Sequence, residues 1–186
     1  MASSYETNQS IGIIEFVSIA RGIETTDIMV KVSNVDIIKA STICPGKYLA
    51  IISGKVEDVE TAIKTGSEFG GEYVSDTLVI ARVHPQLIPA ISMSNTIENP
   101  ESIGILEFYS VPAGIFAADA AAKAANIELI EVKIGYAIGG KSVVVLTGDL
   151  SSVQTAVNIS DQDQDLMLLN KVVIANPDPS ILTTLL

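Results

Sequence analysis

SIGIIEFVSIARGIETTDIMVKVSNVDII (Ser10–Ile38) returns as SIGILEFYSVPAGIFAADAAAKAANIELI (Ser102–Ile130). Between Ile11–Ile38 and Ile103–Ile130, at an offset of 92, twelve of 28 positions are identical. Self-similarity at a fixed offset marks a duplicated structural unit. After a two-residue adjustment the match resumes: Gly46-Lys47 with Gly140-Lys141, Gly54 with Gly148, Val59 with Val153, and Thr61-Ala62 with Thr155-Ala156. Two homologous domains follow, over 10–92 and 101–186. The polar, turn-rich SMSNTIENP at Ser92–Pro100 supplies a linker over 93–100.

Each copy parses alike. Ile11–Val17 and Ile103–Tyr109 are apolar, β-branched strand candidates. Ile23–Val32 and Ile115–Ala124 read as helices, with Asp27/Lys31 and Asp119/Lys123 at i,i+4. Strands are predicted at Asp36–Ala40 and Tyr48–Ser53, and in the second copy at Glu128–Lys133 and Ser142–Thr147. Gly54 and Gly148 close those strands, and helices follow over Val56–Thr65 and Leu150–Ile159, with Asp149 near a helix start. Last strands lie at Thr77–Ala81 and Lys171–Ala175. The order is strand-helix-strand-strand-helix-strand twice, an α/β (α+β) class. AADAAAKAA is much smaller in volume than TTDIMVKVS, which suits either a close helix–sheet approach or a tight subunit contact.

The whole chain limits what such domains can do. Its 186 residues carry 11 basic and 22 acidic side chains, a net charge of −11, which argues against nucleic acid or an anionic membrane as partner. The apolar fraction is 48% and mean hydropathy is +0.43, yet every apolar run is strand-sized. The start MASSYETNQS lacks the basic and apolar regions of a secretory signal, so a cytoplasmic location is expected.

TICPGK at 42–47 holds Cys44, the one cysteine of the chain, so an intrachain disulfide framework is excluded. A free cysteine is commonly a small buried hydrophobe. Here Pro45 fixes φ and Gly46 allows a backbone closed to other residues, which puts the thiol in a constrained turn. One chain cannot build a multi-thiolate site from it; a symmetric assembly could. The single histidine, His84, precedes Pro85, and no Ser/His/Asp or Cys/His constellation can be assembled, so an enzyme is not expected. Glu15 and Glu107 are equivalent by the repeat and read as structural. Gly139-Gly140-Lys141 lacks the spacing of a nucleotide-binding loop.

The G-x-x-E opening strand, the D-x-x-x-K-x-x-N helix end, the Gly-containing turn and the strand closed by G-[KD]-[VL] occur twice. Together they resemble the bacterial microcompartment shell (BMC) domain over nearly the whole chain. SIARGIE, TICPGK and AIGGK narrow the resemblance to tandem-domain shell proteins of propanediol-utilisation microcompartments. It implies two BMC-type domains, each a mostly antiparallel sheet flanked by helices, in a homotrimer that forms a pseudohexameric tile. It implies pore loops at Thr42, Ile43, Cys44, Pro45 and Gly46, and at Tyr136, Ala137, Ile138, Gly139 and Gly140. Lateral contacts between tiles carry over to Lys31, Lys123 and Arg82, whereas the second copy has Asn176 in the arginine position. It further implies Cys44 as the metal ligand of a [4Fe-4S] cluster, one per trimer, held by three Cys44 side chains. The implied partners are other shell proteins and an encapsulated or external redox protein. Three thiolates suit three corners of such a cluster better than a four-ligand structural zinc site. The competing classes are a trimeric small-metabolite-binding regulator and an electron-transfer protein independent of any compartment.

Overall fold

The computed structural model describes residues 9–159 and 167–185; the opening octapeptide and the final residue of the predicted second domain lie outside them. The first copy runs β1 (Ser10–Phe16), α1 (Ile19–Val32), β2 (Val35–Ile43), β3 (Lys47–Gly54), α2 (Val56–Gly70) and β4 (Val74–Ile80). A short helix α3 (Leu87–Ile91) precedes the second copy: β5 (Ser102–Phe108), α4 (Val111–Ala124), β6 (Glu128–Ile134), β7 (Ser142–Gly148), α5 (Leu150–Ile159) and β8 (Leu168–Ile174). The chain closes with α6 (Pro179–Leu185).

Two antiparallel four-stranded sheets result, ordered β2-β3-β1-β4 and β6-β7-β5-β8. Even their irregularities repeat. The register shifts at Glu15/Phe16 and Ile37/Lys39 in the first sheet, and at Glu107/Phe108 and Leu129/Glu131 in the second. A bulge kinks a strand and re-aims its side chains, so its duplication carries a geometry as well as a topology.

Local chemistry sets the helix ends. Ser18 accepts from the Arg21 N–H at 3.4 Å and Ser110 from the Ala113 N–H at 3.3 Å, which caps α1 and α4 at equivalent positions. Asp149 caps α5 by accepting from the Ser152 N–H at 3.0 Å, and its hydrogen bonds to Ser152 hold its pKa below the usual carboxylate range. In the first unit α1 and α2 lie on one face of the sheet over Ile14, Phe16, Tyr48, Ala50 and Ile52, which they meet with Met29, Val59, Ala62 and Ile63. In the second, Ile103, Ile130 and Val145 form a buried cluster joined by Ile97, Ile174 and Leu182.

The compact units divide between Pro85 and Gln86, so α3 belongs with the second unit rather than with the 10–92 domain of the sequence reading. The 93–100 stretch is also more than a tether. Asn95 donates to the Leu129 carbonyl at 2.6 Å, and Ile97 packs on the second core.

The small residues of α4 correspond to a close helix–sheet approach. A Cβ at Gly114 would stand 2.0 Å from Ser142 Oγ and 2.7 Å from Ser142 Cβ on β7. Alanine normally gains about 1 kcal/mol over glycine inside a helix. Overpacking outweighs that gain here, so Gly114→Ala is expected to lose about 1–2 kcal/mol net in urea unfolding; a stabilised variant would contradict the close approach.

Candidate functional site: the β2–β3 and β6–β7 turns

Cys44 sits in the turn joining β2 to β3, partly exposed. The Gly46 N–H donates to the Ile43 carbonyl at 3.0 Å, the Cys44-Pro45 peptide is cis, and Gly46 adopts φ +88° with open space beside it. A side chain at Gly46 would therefore be strained by backbone conformation, with nothing nearby to clash. Thr42, Pro45 and Gly46 are exposed, while Ile43 is buried and roots the turn.

The companion turn, 135–141 against 44–46, is longer by four residues and held differently. Gly135, Ala137, Gly139 and Gly140 all have positive φ, and the Gly135 N–H donates to the Lys141 carbonyl at 2.9 Å across the turn base. Tyr136 projects outward, 74% exposed, with Ala137 and Gly139 exposed beside it; Ile138 and Gly140 are half-buried.

Beneath each turn lies an ion pair that sequence reasoning left unjoined. Lys47 Nζ donates to Glu15 Oε1 at 2.5 Å, and Lys141 Nζ to Glu107 Oε1 at 2.8 Å. Each links the lysine after the turn to the acid of the opening strand. The signal was present, since both members recur in both copies, but joining them requires the strand register. Glu15 is 3% exposed and also receives the Ser75 hydroxyl at 3.2 Å. Glu107 is more open, with 31% of its side chain exposed. Burial raises the pKa of nearby Asp76 above the usual carboxylate range; the Thr77 backbone and Lys47 oppose this and the Glu15 charge adds to it.

The lateral candidates lie elsewhere. Ile43 pairs with Lys47 at the turn end of the sheet, whereas Val35 and Ser10 both pair with Gly54 at the other end. Lys31, in the last turn of α1, and Arg82, after β4 and bonded through its N–H to Ser10 Oγ at 3.4 Å, belong to that Gly54 end. The nine residues of β2 separate the two ends by about 30 Å. Lys31 pairs with Asp27 and Lys123 with Asp119, both at 2.5 Å, but Asp119 is buried and Asp27 exposed. Asn176 lines a 520 Å³ cavity with Ser102, Leu150 and Leu182.

The BMC domain matches residues 10–83 and 102–177. The chain belongs to the BMC-domain family, with two domains in tandem. It is 40% identical over 176 residues to the bacterial microcompartment shell protein PduT of Citrobacter freundii, covering 94% of this chain and 96% of that protein. It is 30% identical to the carboxysome assembly protein CcmO of Synechocystis, of whose length it spans 58%. A crystal structure of a microcompartments protein from Desulfitobacterium hafniense DCB superposes with a TM-score of 0.86 at 40% identity, covering 94% of this chain and 98% of that one. The fused permuted hexameric shell protein MSM0275 shares the fold, with a TM-score of 0.56 at 20% identity over 87% of this chain and 85% of that one. Family membership places this BMC protein in the shell of a bacterial microcompartment, within the cytoplasm. Among the described residues no helix is long and apolar enough to cross a membrane.

The two ion pairs should differ in weight. Lys47→Ala leaves a carboxylate buried without its cation, which should cost about 3 kcal/mol in chemical unfolding. Lys141→Ala, beside the more exposed Glu107, should cost under about 1 kcal/mol. Equal losses would contradict a specific anchoring role for the first pair.

Proposed function

We propose that this BMC protein is a structural facet tile, a homotrimer of pseudohexameric outline, whose three Cys44 turns surround a central pore and hold one [4Fe-4S] cluster. The observation that carries the reading is the separation of the two chemistries. The thiol occupies an open turn at one end of the sheet, and Lys31 and Arg82 belong to the other end, about one strand length away. In a ring with the turns inward, the pore is central and the basic residues are at the rim, available to neighbouring tiles.

The donor chemistry fits a cluster shared between chains. Among the described residues no group of three His, Cys, Asp or Glu could hold a metal, so ligation by Cys44 requires several copies. Cys44 would supply the thiolate, Pro45 and Gly46 the turn that presents it, and Lys47–Glu15 the anchor beneath. A cluster of this type supplies one-electron storage. An encapsulated or external redox protein would be its partner, and a filled pore would favour electron passage over diffusion.

Anaerobic reconstitution is expected to give four irons and four sulfides per trimer, with a paramagnetic signal after reduction. Cys44→Ser should lose both. A wild-type protein that loads no cluster, or a serine variant that keeps it, would reject the redox role and leave the tile role standing.

Lateral assembly has its own test. The exposed Lys31–Asp27 pair contributes only about 0.2–0.5 kcal/mol to its helix, whereas Lys123→Ala takes a cation from the buried Asp119 carboxylate and costs more. Lys31→Ala should therefore impair extended sheets in electron micrographs while shifting the thermal midpoint by no more than about 2–4 °C, and adding Lys123→Ala should abolish the sheets with a larger loss of stability. Unchanged sheets would reject the rim assignment, and a discrete trimer with saturable metabolite binding and no sheets would favour a regulator.

A further inference from the structure

The two opening-strand acids meet different residues on the last strand of their sheets. Glu15 on β1 lies opposite Asp76 on β4, whereas Glu107 on β5 lies opposite Asn170 on β8. Directly opposed residues of an antiparallel pair have Cβ atoms about 5 Å apart, close enough for two carboxyl groups to meet. The first copy therefore sets two acids against one lysine, Lys47; the second sets one acid and an amide against Lys141.

Lys47 and Ser75 both donate to Glu15 Oε1, at 2.5 and 3.2 Å. Glu15 Oε2 is buried and has no hydrogen-bond donor among the described residues. A buried carboxylate oxygen left so bears an uncompensated desolvation cost. Strand alternation puts Ile14 and Phe16 under the helices and Glu15 on the opposite face, which Asp76 shares as its cross-strand partner. Asp76 is thus placed to supply the donor. An ionised carboxylate only accepts hydrogen bonds, but a protonated one has an O–H to give.

The surroundings of Asp76 favour that proton. Burial above all, with the Glu15 charge added, holds its pKa above the usual carboxylate range against the Thr77 backbone and Lys47. From β2 to β4 the row across the sheet reads Ser41, Leu49, Glu15, Asp76, and Lys39 stands on β2 at the opposite edge. Among the described residues, the charges that act on Asp76 are those of Glu15 and Lys47.

We propose that Asp76 is a proton-binding site specific to the first copy, its carboxyl O–H donating to Glu15 Oε2, and that this proton steadies the anchor beneath the Cys44 turn. With the proton bound, Glu15, Lys47 and Asp76 are neutral together and both Glu15 oxygens have donors. When it leaves, a second negative charge faces Glu15, Oε2 loses its donor and Lys47 is divided between two carboxylates. The hold of Lys47 on Glu15 weakens, and the turn that Lys47 closes loosens with it. The second copy is a permanently neutral form, because Asn170 has no proton to lose. Only the thiol-bearing turn responds to pH, and the site needs neither a cluster nor a trimer. The folded chain binds this proton more tightly than the unfolded chain. The stability it contributes is therefore fully present below about pH 4 and is lost as pH rises through the folded value.

The test compares the full wild-type chain with Asp76→Asn, which copies Asn170 and leaves every other acid in place. Carboxyl-labelled aspartate should give one carbon resonance, absent from Asp76→Asn, that titrates at higher pH than the ordinary aspartates; Glu15→Gln should shift it downward. Urea unfolding at one protein concentration should show wild type losing stability relative to Asp76→Asn as pH rises from about 4 to about 7. Over the same range, hydrogen exchange at the Gly46 N–H, bonded to the Ile43 carbonyl, should become several-fold faster in wild type than in the variant. Exchange at the Gly135 N–H, bonded to the Lys141 carbonyl, should stay equal in the two. An Asp76 that titrates with the ordinary aspartates overturns the proposal. So does Gly46 exchange that matches the variant's at every pH, or an Asp76→Asn chain less stable than wild type near neutral pH.

Discussion

The contact between Lys47 and Glu15 ties the Cys44 turn to the centre of its sheet. Glu15 lies on β1, which pairs with both β3 and β4, and its carboxylate is almost wholly removed from water. A buried charge is tolerated only with a partner, so Lys47 is held at the first position of β3 and the preceding turn is fixed from below. The duplicated pair Glu107–Lys141 does the same for the longer turn of the second copy, in a wetter setting. Because β2 and β6 enter their turns in a fixed register against β3 and β7, this anchorage also determines which residues lie at the far end of each sheet.

Much of this was legible in the sequence. The repeat and the order of elements followed from identities and periodicity, and the central strands were apolar enough to read directly. Helix boundaries were less so. α1 begins at Ile19, four residues before the predicted Ile23, because Ser18 caps it and Gly22 gives room to Tyr48. α2 continues past Thr65 to Gly70 because Gly66 lies against Met29, where a Cβ would meet Sδ at 2.6 Å. α3 and α6 were missed: five and seven residues are too few for helical periodicity, and each contains a proline, Pro89 within α3 and Pro179 at the start of α6. The Glu–Lys pairs were visible as residues but not as contacts, since only the register brings positions 15 and 47 together.

The two halves diverged on a common frame. One turn carries a thiol in a short Cys-Pro-Gly bend; the other uses four left-handed residues and presents Tyr136. α1 carries Thr25, Thr26 and Met29 where α4 has alanines, and Tyr48 opposes Gly22 where Ser142 opposes Gly114. All of these substitutions make the second copy smaller, and α4 lies correspondingly closer to its sheet: a Cβ at Gly114 would stand 2.0 Å from Ser142 Oγ, where one at Gly22 would stand 2.6 Å from the Tyr48 ring. Fusion of two domains permits such asymmetry, so that in a trimer each position would occur three times around the ring rather than six. A threefold set of thiols is what a cubane cluster with one open corner accommodates.

The central claim is that the Cys44 turns converge while the Lys31 helix ends lie outward, and pulsed electron-electron resonance measures it directly. The single native cysteine accepts one nitroxide per chain; the comparison is Lys31→Cys in a Cys44→Ser background. The account predicts one short, narrow distance distribution for labels at Cys44 and a much longer one for labels at position 31, both in apo trimers. Equal distances, or a longer distance at Cys44, would contradict it.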